Sequence, residues 1–362
     1  MMKKFTLLLV ILSCLGWATL SAQSERTGQA GAMELLNNVM PHSSGFNGLD
    51  IAAVDGIEGS QVNPAGIART TGTELLFAHS RWFVGSGIQI NSFGISQNLG
   101  VDNGTLGVLV TALNPGDLTR TTTSQPNGEL GTFSPSFVNI GLSYARKFTD
   151  RIHVGFTGRV VNQSTPEVGA TGVNFDAGIQ YRAGRLDRIK LGIALRHVGP
   201  TMIFRGDGLA NRVLLRNRND FTSSVDLPTQ EFEIPATLTM GASYDFFLGT
   251  DDLVLSAVAG FISNSYYYNQ GGLGLEFRYK QYVAFRGSFL YEQGIFGQTI
   301  GDNGRFNAYT GTALGASFRV PIKSGKFDAS GNPDFSKFSL DISYRTTNPF
   351  GGTFVFGARI DL

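Results

Sequence analysis

From Glu74 onward, segment after segment places apolar residues at every second position. In Gly172–Arg182, Val173, Phe175, Ala177, Ile179 and Tyr181 share one face, and Asn174, Asp176, Gly178, Gln180 and Arg182 share the other. In Leu273–Lys280, Leu273, Leu275, Phe277 and Tyr279 oppose Gly274, Glu276, Arg278 and Lys280. In Phe338–Arg345, Phe338, Leu340, Ile342 and Tyr344 oppose Ser339, Asp341, Ser343 and Arg345. A period of two marks strands with unlike faces. Here the second face is charged or occupied by glycine in segment after segment. A soluble sandwich turns its apolar face inward, and this chain has no helices or second layer to cover so much aromatic surface.

The pattern predicts fourteen strands, near 74–83, 86–98, 105–113, 136–147, 152–162, 172–183, 189–197, 235–245, 253–262, 271–279, 282–291, 307–319, 337–346 and 352–361. Most have the roughly 9–11 residues that a tilted strand needs to cross a bilayer. An even number suits a closed antiparallel ring, which removes every sheet edge. With both ends of the ring in the periplasm, the even-numbered connections should be short. The stretches 99–104, 148–151, 184–188, 246–252 and 280–281 are short. The odd connections 114–135, 163–171, 198–234, 263–270 and 292–306 are longer. The expected connection 320–336 is long where a short one belongs, and the first external connection is very short. Tyr279, Tyr282, Phe246, Phe247 and Tyr266–Tyr268 are expected in interfacial belts, where one end of a ring is apolar and the other wet. The fold class is therefore all-β: a transmembrane barrel of about fourteen antiparallel strands, residues 73–362.

The region before it differs. Ala32, Leu35, Leu36, Val39 and Met40 fall at i, i+3, i+4, i+7 and i+8, which predicts a short helix closed by Pro41. Residues 41–72 carry six glycines, at 45, 48, 56, 59, 66 and 72, and read as a compact irregular segment with helical turns. Asn63-Pro64-Ala65-Gly66 marks a turn or a capped helical turn, because Pro64 fixes φ and Asn63 is a good cap. Residues 23–72 are expected to form a helical or irregular plug segment, with residues 28–60 inside the barrel or at its periplasmic mouth.

Residues 1–22 read as a signal peptide: Lys3 and Lys4, the apolar run Phe5–Leu12, then Leu20-Ser21-Ala22 before Gln23. Cys14, the single cysteine, would leave with it, since Leu12 and Ser13 fit a lipidation site poorly. No disulfide or thiol chemistry then remains. The formal charge of +1 points to no nucleic-acid partner. His42, His79, His153 and His197 form no His-Glu-x-x-His pair, and Gly-x-Ser-x-Gly and Walker patterns are absent. No catalytic, cofactor or metal residue is expected, and the chain does not read as an enzyme.

Candidate lumen-lining residues are Arg159, Asp176, Arg182, Arg196, Glu276, Arg278, Arg286, Asp341, Arg345 and Arg359. They suit either a salt-bridged wall that supports the plug or a polar path for a solute. The longest connection, 198–234, carries a candidate partner-binding arm. Arg205, Arg212, Arg216 and Arg218 give a net +3 over 205–218, Val213-Leu214-Leu215 lies between them, and a net −4 follows over 219–233.

Together these features resemble the FadL-like outer-membrane barrels, and within them the PorV/PorQ family of the type IX secretion system. Asn63-Pro64-Ala65-Gly66, Phe137–Val154, Gly172–Tyr181 and Leu191–Pro200 carry the resemblance, which covers most of residues 46–362. Unlike the usual outer-membrane pattern, the chain ends in Leu362 rather than an aromatic residue. The resemblance implies a monomeric barrel in the outer membrane of a Gram-negative cell, within a larger complex, with an N-terminal segment filling its lumen. In the PorV branch it implies an adaptor that collects secreted cargo through C-terminal signal domains. In FadL itself it implies passage of hydrophobic solutes. An adaptor predicts ordered external loops and a closed lumen. A transporter predicts an apolar pocket beside the N-terminal segment and a break in the wall. A barrel hydrolase would need a lipid-facing Ser/His pair.

Overall fold

The computed structural model describes residues 29–100, 102–128, 130–215, 221–249, 252–297, 307–327, 333–347 and 350–362. The expected signal peptide lies outside them. Fourteen antiparallel strands form one closed barrel: β1 Thr73–Arg81, β2 Gln89–Asn98, β3 Thr105–Asn114, β4 Ser136–Lys147, β5 Ile152–Ser164, β6 Gly169–Ala183, β7 Ile189–Val198, β8 Thr237–Phe247, β9 Leu253–Asn264, β10 Gln270–Tyr279, β11 Val283–Glu292, β12 Gly311–Phe327, β13 Pro333–Arg345 and β14 Thr353–Asp361. Each pairs with its neighbour in sequence, and β14 closes on β1 from Glu74↔Asp361 to Arg81↔Phe354. No barrel strand is left with an open edge, which is what hydrocarbon demands of backbone N–H and C=O groups.

The alternation is inside out relative to a water-soluble protein. On β10, Leu273 and Leu275 are 69 % and 55 % exposed on the outer wall, while Glu276 is only 5 % exposed on the inner one. Such an arrangement is stable only when lipid bathes the outside.

Two connections depart from the sequence reading. The expected loop 320–336 is mostly strand: β12 continues to Phe327 and β13 begins at Pro333, paired through Val320↔Phe338 and Ile322↔Ser336. The hairpin outruns the bilayer on the periplasmic side, so its polar composition hid its strand character. The expected loop 163–171 shrinks to 165–168, because β5 and β6 pair up to Ser164↔Gly169. The connection 199–236 holds a separate two-stranded hairpin, Ala210–Leu215 with Phe221–Asp226. Tyr279, Tyr282 and Phe246 are exposed at the periplasmic end, as belt residues should be. Tyr266 is not a belt residue: it is 2 % exposed, and its hydroxyl donates to Glu233.

Residues 29–72 run down the lumen. At the external end the Gly31 N–H donates to Glu233 O at 3.0 Å; at the periplasmic end the Ile57 N–H donates to Glu74 Oε1 at 3.2 Å. The expected helix through Met40 does not form. Only a 3-10 turn, Met33–Leu36, exists, and Asn37 and Met40 are extended. Asn38 Oδ1 accepts from the Met40 N–H at 3.0 Å, and the Asn37 carbonyl accepts from Gln61 Nε2 at 2.7 Å, so local and plug-internal bonds replace the helical ladder. Pro41 opens a short helix, Pro41–Ser44, rather than closing one. The apolar face is split accordingly. Ala32 and Leu35 pack with Val161, Ala170, Met202 and Ile234. Val39 and Met40 pack with Ile57, Leu76, Ile90, Leu109 and Leu113.

Glycines on the inner wall make room for this segment. A Cβ at Gly178 would overlap Asn63, one at Gly155 would overlap Pro64, and one at Gly357 would overlap Pro41. At Gly272 it would lie 2.7 Å from Leu49, and at Gly94 2.7 Å from Ile57.

The inside-out wall yields a direct test. Leu275→Arg, at mid-strand on the lipid face, should destabilise the folded barrel by about 2–4 kcal/mol in vesicles. Reversible denaturant unfolding into lipid measures this, and an unchanged midpoint would contradict the assignment of faces.

The plugged lumen as candidate functional site

The plug is gripped by charge at three levels. At its centre His42, beside Phe46 at a ring distance of 5.7 Å, reaches Glu276 Oε2 at 3.1 Å and Asp50 Oδ2 at 3.7 Å. Glu276 and Asp341 also receive Arg286, at 3.1 and 3.0 Å, and Arg286 donates to Ser317 Oγ at 2.6 Å. Glu58 accepts the backbone N–H groups of His42 and Ser43 at 3.3 and 3.1 Å, which caps the first turn of Pro41–Ser44. Burial pushes the Glu58 carboxyl up, against the charges of His42 and Arg359. Burial and Arg286 both oppose the charged form of His42, but Asp50 and Glu276 outweigh them and push its pKa up to about 9. The plug therefore docks on Glu276 of β10 through a charged histidine, and Arg286 of β11 links that carboxylate to Asp341 of β13.

On the opposite wall, arginines take carbonyls that the short helix Gly59–Val62 leaves free. Arg159 Nη2 donates to Ser60 O at 2.9 Å and pairs with Asp176 at 3.0 Å. Arg196 Nη1 donates to Gln61 O at 2.7 Å. Asp176 also accepts the His197 N–H at 2.6 Å, where β7 bulges and His197 takes a φ of 61°. Ser60 Oγ lies 3.0 Å from Ser143 Oγ. Nearer the outside, Arg345 donates to Asn37 Oδ1 at 2.5 Å and stands 5.1 Å over the Tyr309 ring.

The Asn63-Pro64-Ala65-Gly66 motif is the structural joint of the plug. Asn63 Oδ1 accepts from the Ala65 N–H at 3.1 Å and caps the 3-10 turn Pro64–Arg69. Asn63 Nδ2 donates to Ile51 O at 3.0 Å and to the wall carbonyl Ile179 O at 3.2 Å. Gly66 abuts the Val54 carbonyl with no space for a side chain. Gln180, from β6, donates to Ile51 O at 3.1 Å and Val54 O at 2.9 Å.

Arg159, Asp176, Arg182, Arg196, Glu276, Arg286, Asp341, Arg345 and Arg359 all turn inward, and Arg278 does so half-exposed. They do not form one constellation. Arg182, Arg278 and Arg359 line a periplasmic vestibule of about 550 Å³, together with Arg69, Lys190, Asp245 and Arg319. Arg359 pairs there with Asp55 at 3.7 Å and Glu74 at 3.8 Å. The sequence reading missed His42, Asp50, Glu58, Asp55 and Glu74 as plug anchors. Their spacing carries no motif, and His42 meets a partner 234 positions away. A cavity lies beside the plug against Leu35, Val39, Ile90, Leu109 and Leu113 and also against Glu34, Asn37, Gln61, Asn139 and Arg159, but it measures only about 20 Å³.

In the candidate arm, Arg205 is exposed and its backbone bridges to Gly169. Arg212, Val213, Leu214 and Leu215 lie in the hairpin strand Ala210–Leu215. Arg216 and Arg218 fall outside the described residues. The base of the arm touches the plug: Met202 and Ile234 pack with Leu35, and Phe204 and Phe232 lie against that cluster 5.4 Å apart. Among the described residues no group of His, Cys, Asp and Glu is arranged to hold a metal.

The raised pKa of His42 sets a pH window. Its contribution to docking is complete below about 6.5 and is lost as pH rises through about 9. The thermal midpoint of the detergent-solubilised barrel should therefore fall between pH 7 and pH 10, and His42→Gln should flatten that decline. Equal slopes for the two proteins would remove His42 from the docking energy.

A scan against protein-family models and a search of curated proteins both find no match. Solved structures do match. The CymD monoaromatic hydrocarbon channel aligns over 90 % of this chain and 97 % of its own, at 16 % identity and a TM-score of 0.51. A Pseudomonas aeruginosa FadL homologue aligns over 90 % and 98 %, at 13 % identity and 0.49. The Pseudomonas putida toluene transporter TodX aligns over 92 % and 98 %, at 12 % identity and 0.49. At such identities what is shared is the fold, a closed outer-membrane β-barrel.

Proposed function

We propose that this chain is a sealed outer-membrane barrel that works at its external face, as an adaptor or structural partner for secreted proteins. The observation that carries the reading is the interior. The space beside the plug, about 20 Å³, is room for about one water molecule. The larger vestibule is walled by arginine, lysine and carboxylate groups. β2, β3 and β4 pair without a register shift, so the wall beside the apolar cluster is unbroken. Among the described residues neither of these two spaces offers a hydrophobic solute an apolar route. On this reading the partners are components or cargo C-terminal domains of a type IX secretion system, in keeping with the sequence resemblance, and outer-membrane lipid surrounds the barrel.

A second reading, passive transport of a hydrophobic solute, is the one that the likeness to solved barrels favours. It also draws on the apolar cluster around Ile90, Leu109 and Leu113. It requires the plug to leave its ion pairs before a path opens.

One pair of assays separates the readings. In the first, residues 207–227 are replaced by a short Gly/Ser turn, which spares Phe204 and Phe232 at the base of the arm. The adaptor reading expects unchanged heat-modifiable migration and weaker, less salt-sensitive capture of secreted C-terminal domains. In the second, proteoliposomes carrying the intact barrel should take up toluene no faster than empty vesicles. Undiminished capture together with barrel-dependent uptake would replace the adaptor by the transporter.

A further inference from the structure

The vestibule at the periplasmic end contains more positive charge than its own carboxylates engage. Lys190 is held by Asp245 at 2.6 Å, Arg278 lies 4.0 and 3.9 Å from Asp245 and Glu276, and Arg359 faces Asp55 and Glu74. Three other guanidinium groups line the same space: Arg69 from the plug, Arg182 from β6 and Arg319 from β12. Among the described residues none of the three has a carboxylate within 4.0 Å. Arg182 is only 5 % exposed, yet its Nε and Nη2 have no hydrogen-bond partner, and neither does the Nε of Arg69 or of Arg319. Buried guanidinium donors without acceptors are costly.

We propose that this vestibule is a binding site for a phosphate group, held between Arg69 and Arg182 with Arg319 contributing from across the space. A guanidinium offers paired donors that match a phosphate edge, and a phosphate group carries up to two charges at neutral pH. A space of about 550 Å³ accepts a small phosphorylated molecule as well as the free ion. The turn residues Leu186 and Asp187, with Phe247, border the space on the periplasmic side, which sets the direction of entry. Arg69 belongs to the turn Pro64–Arg69 while Arg182 and Arg319 belong to the wall, so a bound phosphate fastens the plug to the barrel.

Isothermal titration of the full detergent-solubilised barrel with inorganic phosphate, at constant ionic strength against chloride, tests this. The expected result is saturable one-to-one binding, at least tenfold weaker in Arg182→Gln. Acetate, with a single charge, should bind at least tenfold more weakly than phosphate. Lys147→Gln, which removes an exposed partner of Asp150 at another periplasmic turn, should leave phosphate binding unchanged. If Arg182→Gln loses heat-modifiable migration, Arg69→Gln carries the same expectation. Phosphate heats equal to those of chloride, equal binding of acetate and phosphate, or undiminished binding in the folded arginine variant would overturn the site.

Discussion

A ring of fourteen strands encloses more space than its own inward side chains can fill. Eight strands make a lumen that side chains just occupy, and rings of sixteen or more leave a water channel. The interior here is taken up instead by residues 29–72, laid against a wall thinned by glycine. That close approach of backbone to wall is the contact on which the other features depend. It lets Asn63 reach the Ile179 carbonyl, lets Arg159 and Arg196 reach the free carbonyls of Ser60 and Gln61, and brings His42 to Glu276.

The polar inner wall follows from the same geometry. The plug is rich in unpaired backbone groups, because its turns are short and each leaves free ends. Gln180, Arg159, Arg196 and Glu58 supply the missing partners. Buried charge here adds less stability than its ion pairs suggest, since desolvation offsets much of the attraction. Its effect is to fix one arrangement: His42 facing Glu276 leaves little freedom for the plug to rotate or slide.

The barrel was legible in the sequence because each spanning strand must satisfy lipid on one side and a polar interior on the other. That requirement writes a period of two into Gly172–Arg182 and Leu273–Lys280. Where the strands leave the bilayer the requirement lapses, and the β12–β13 extension beyond Val320 carries the polar composition of a loop. The expected helix failed for a local reason: Asn37 and Asn38 engage Gln61, Arg345 and the Met40 amide, and the chain there is extended. Alternation assigns Arg159 or Asp341 to a face but not to a partner. Partners of the plug such as Glu276 for His42 and Ile179 for Asn63 lie more than a hundred residues away and leave no spacing to read. The unpaired arginines of the vestibule were invisible for the same reason, since an absent partner has no sequence signature.

The account rests on the plug being seated in the lumen, and the pair Ser60–Ser143, with hydroxyl oxygens 3.0 Å apart, reports on that seating most directly. In a chain carrying Ser60→Cys and Ser143→Cys, mild oxidation of the folded barrel should form the internal disulfide nearly completely, with heat-modifiable migration retained. Free thiols that label readily in the folded, membrane-inserted protein would place residue 60 away from the wall and contradict the account.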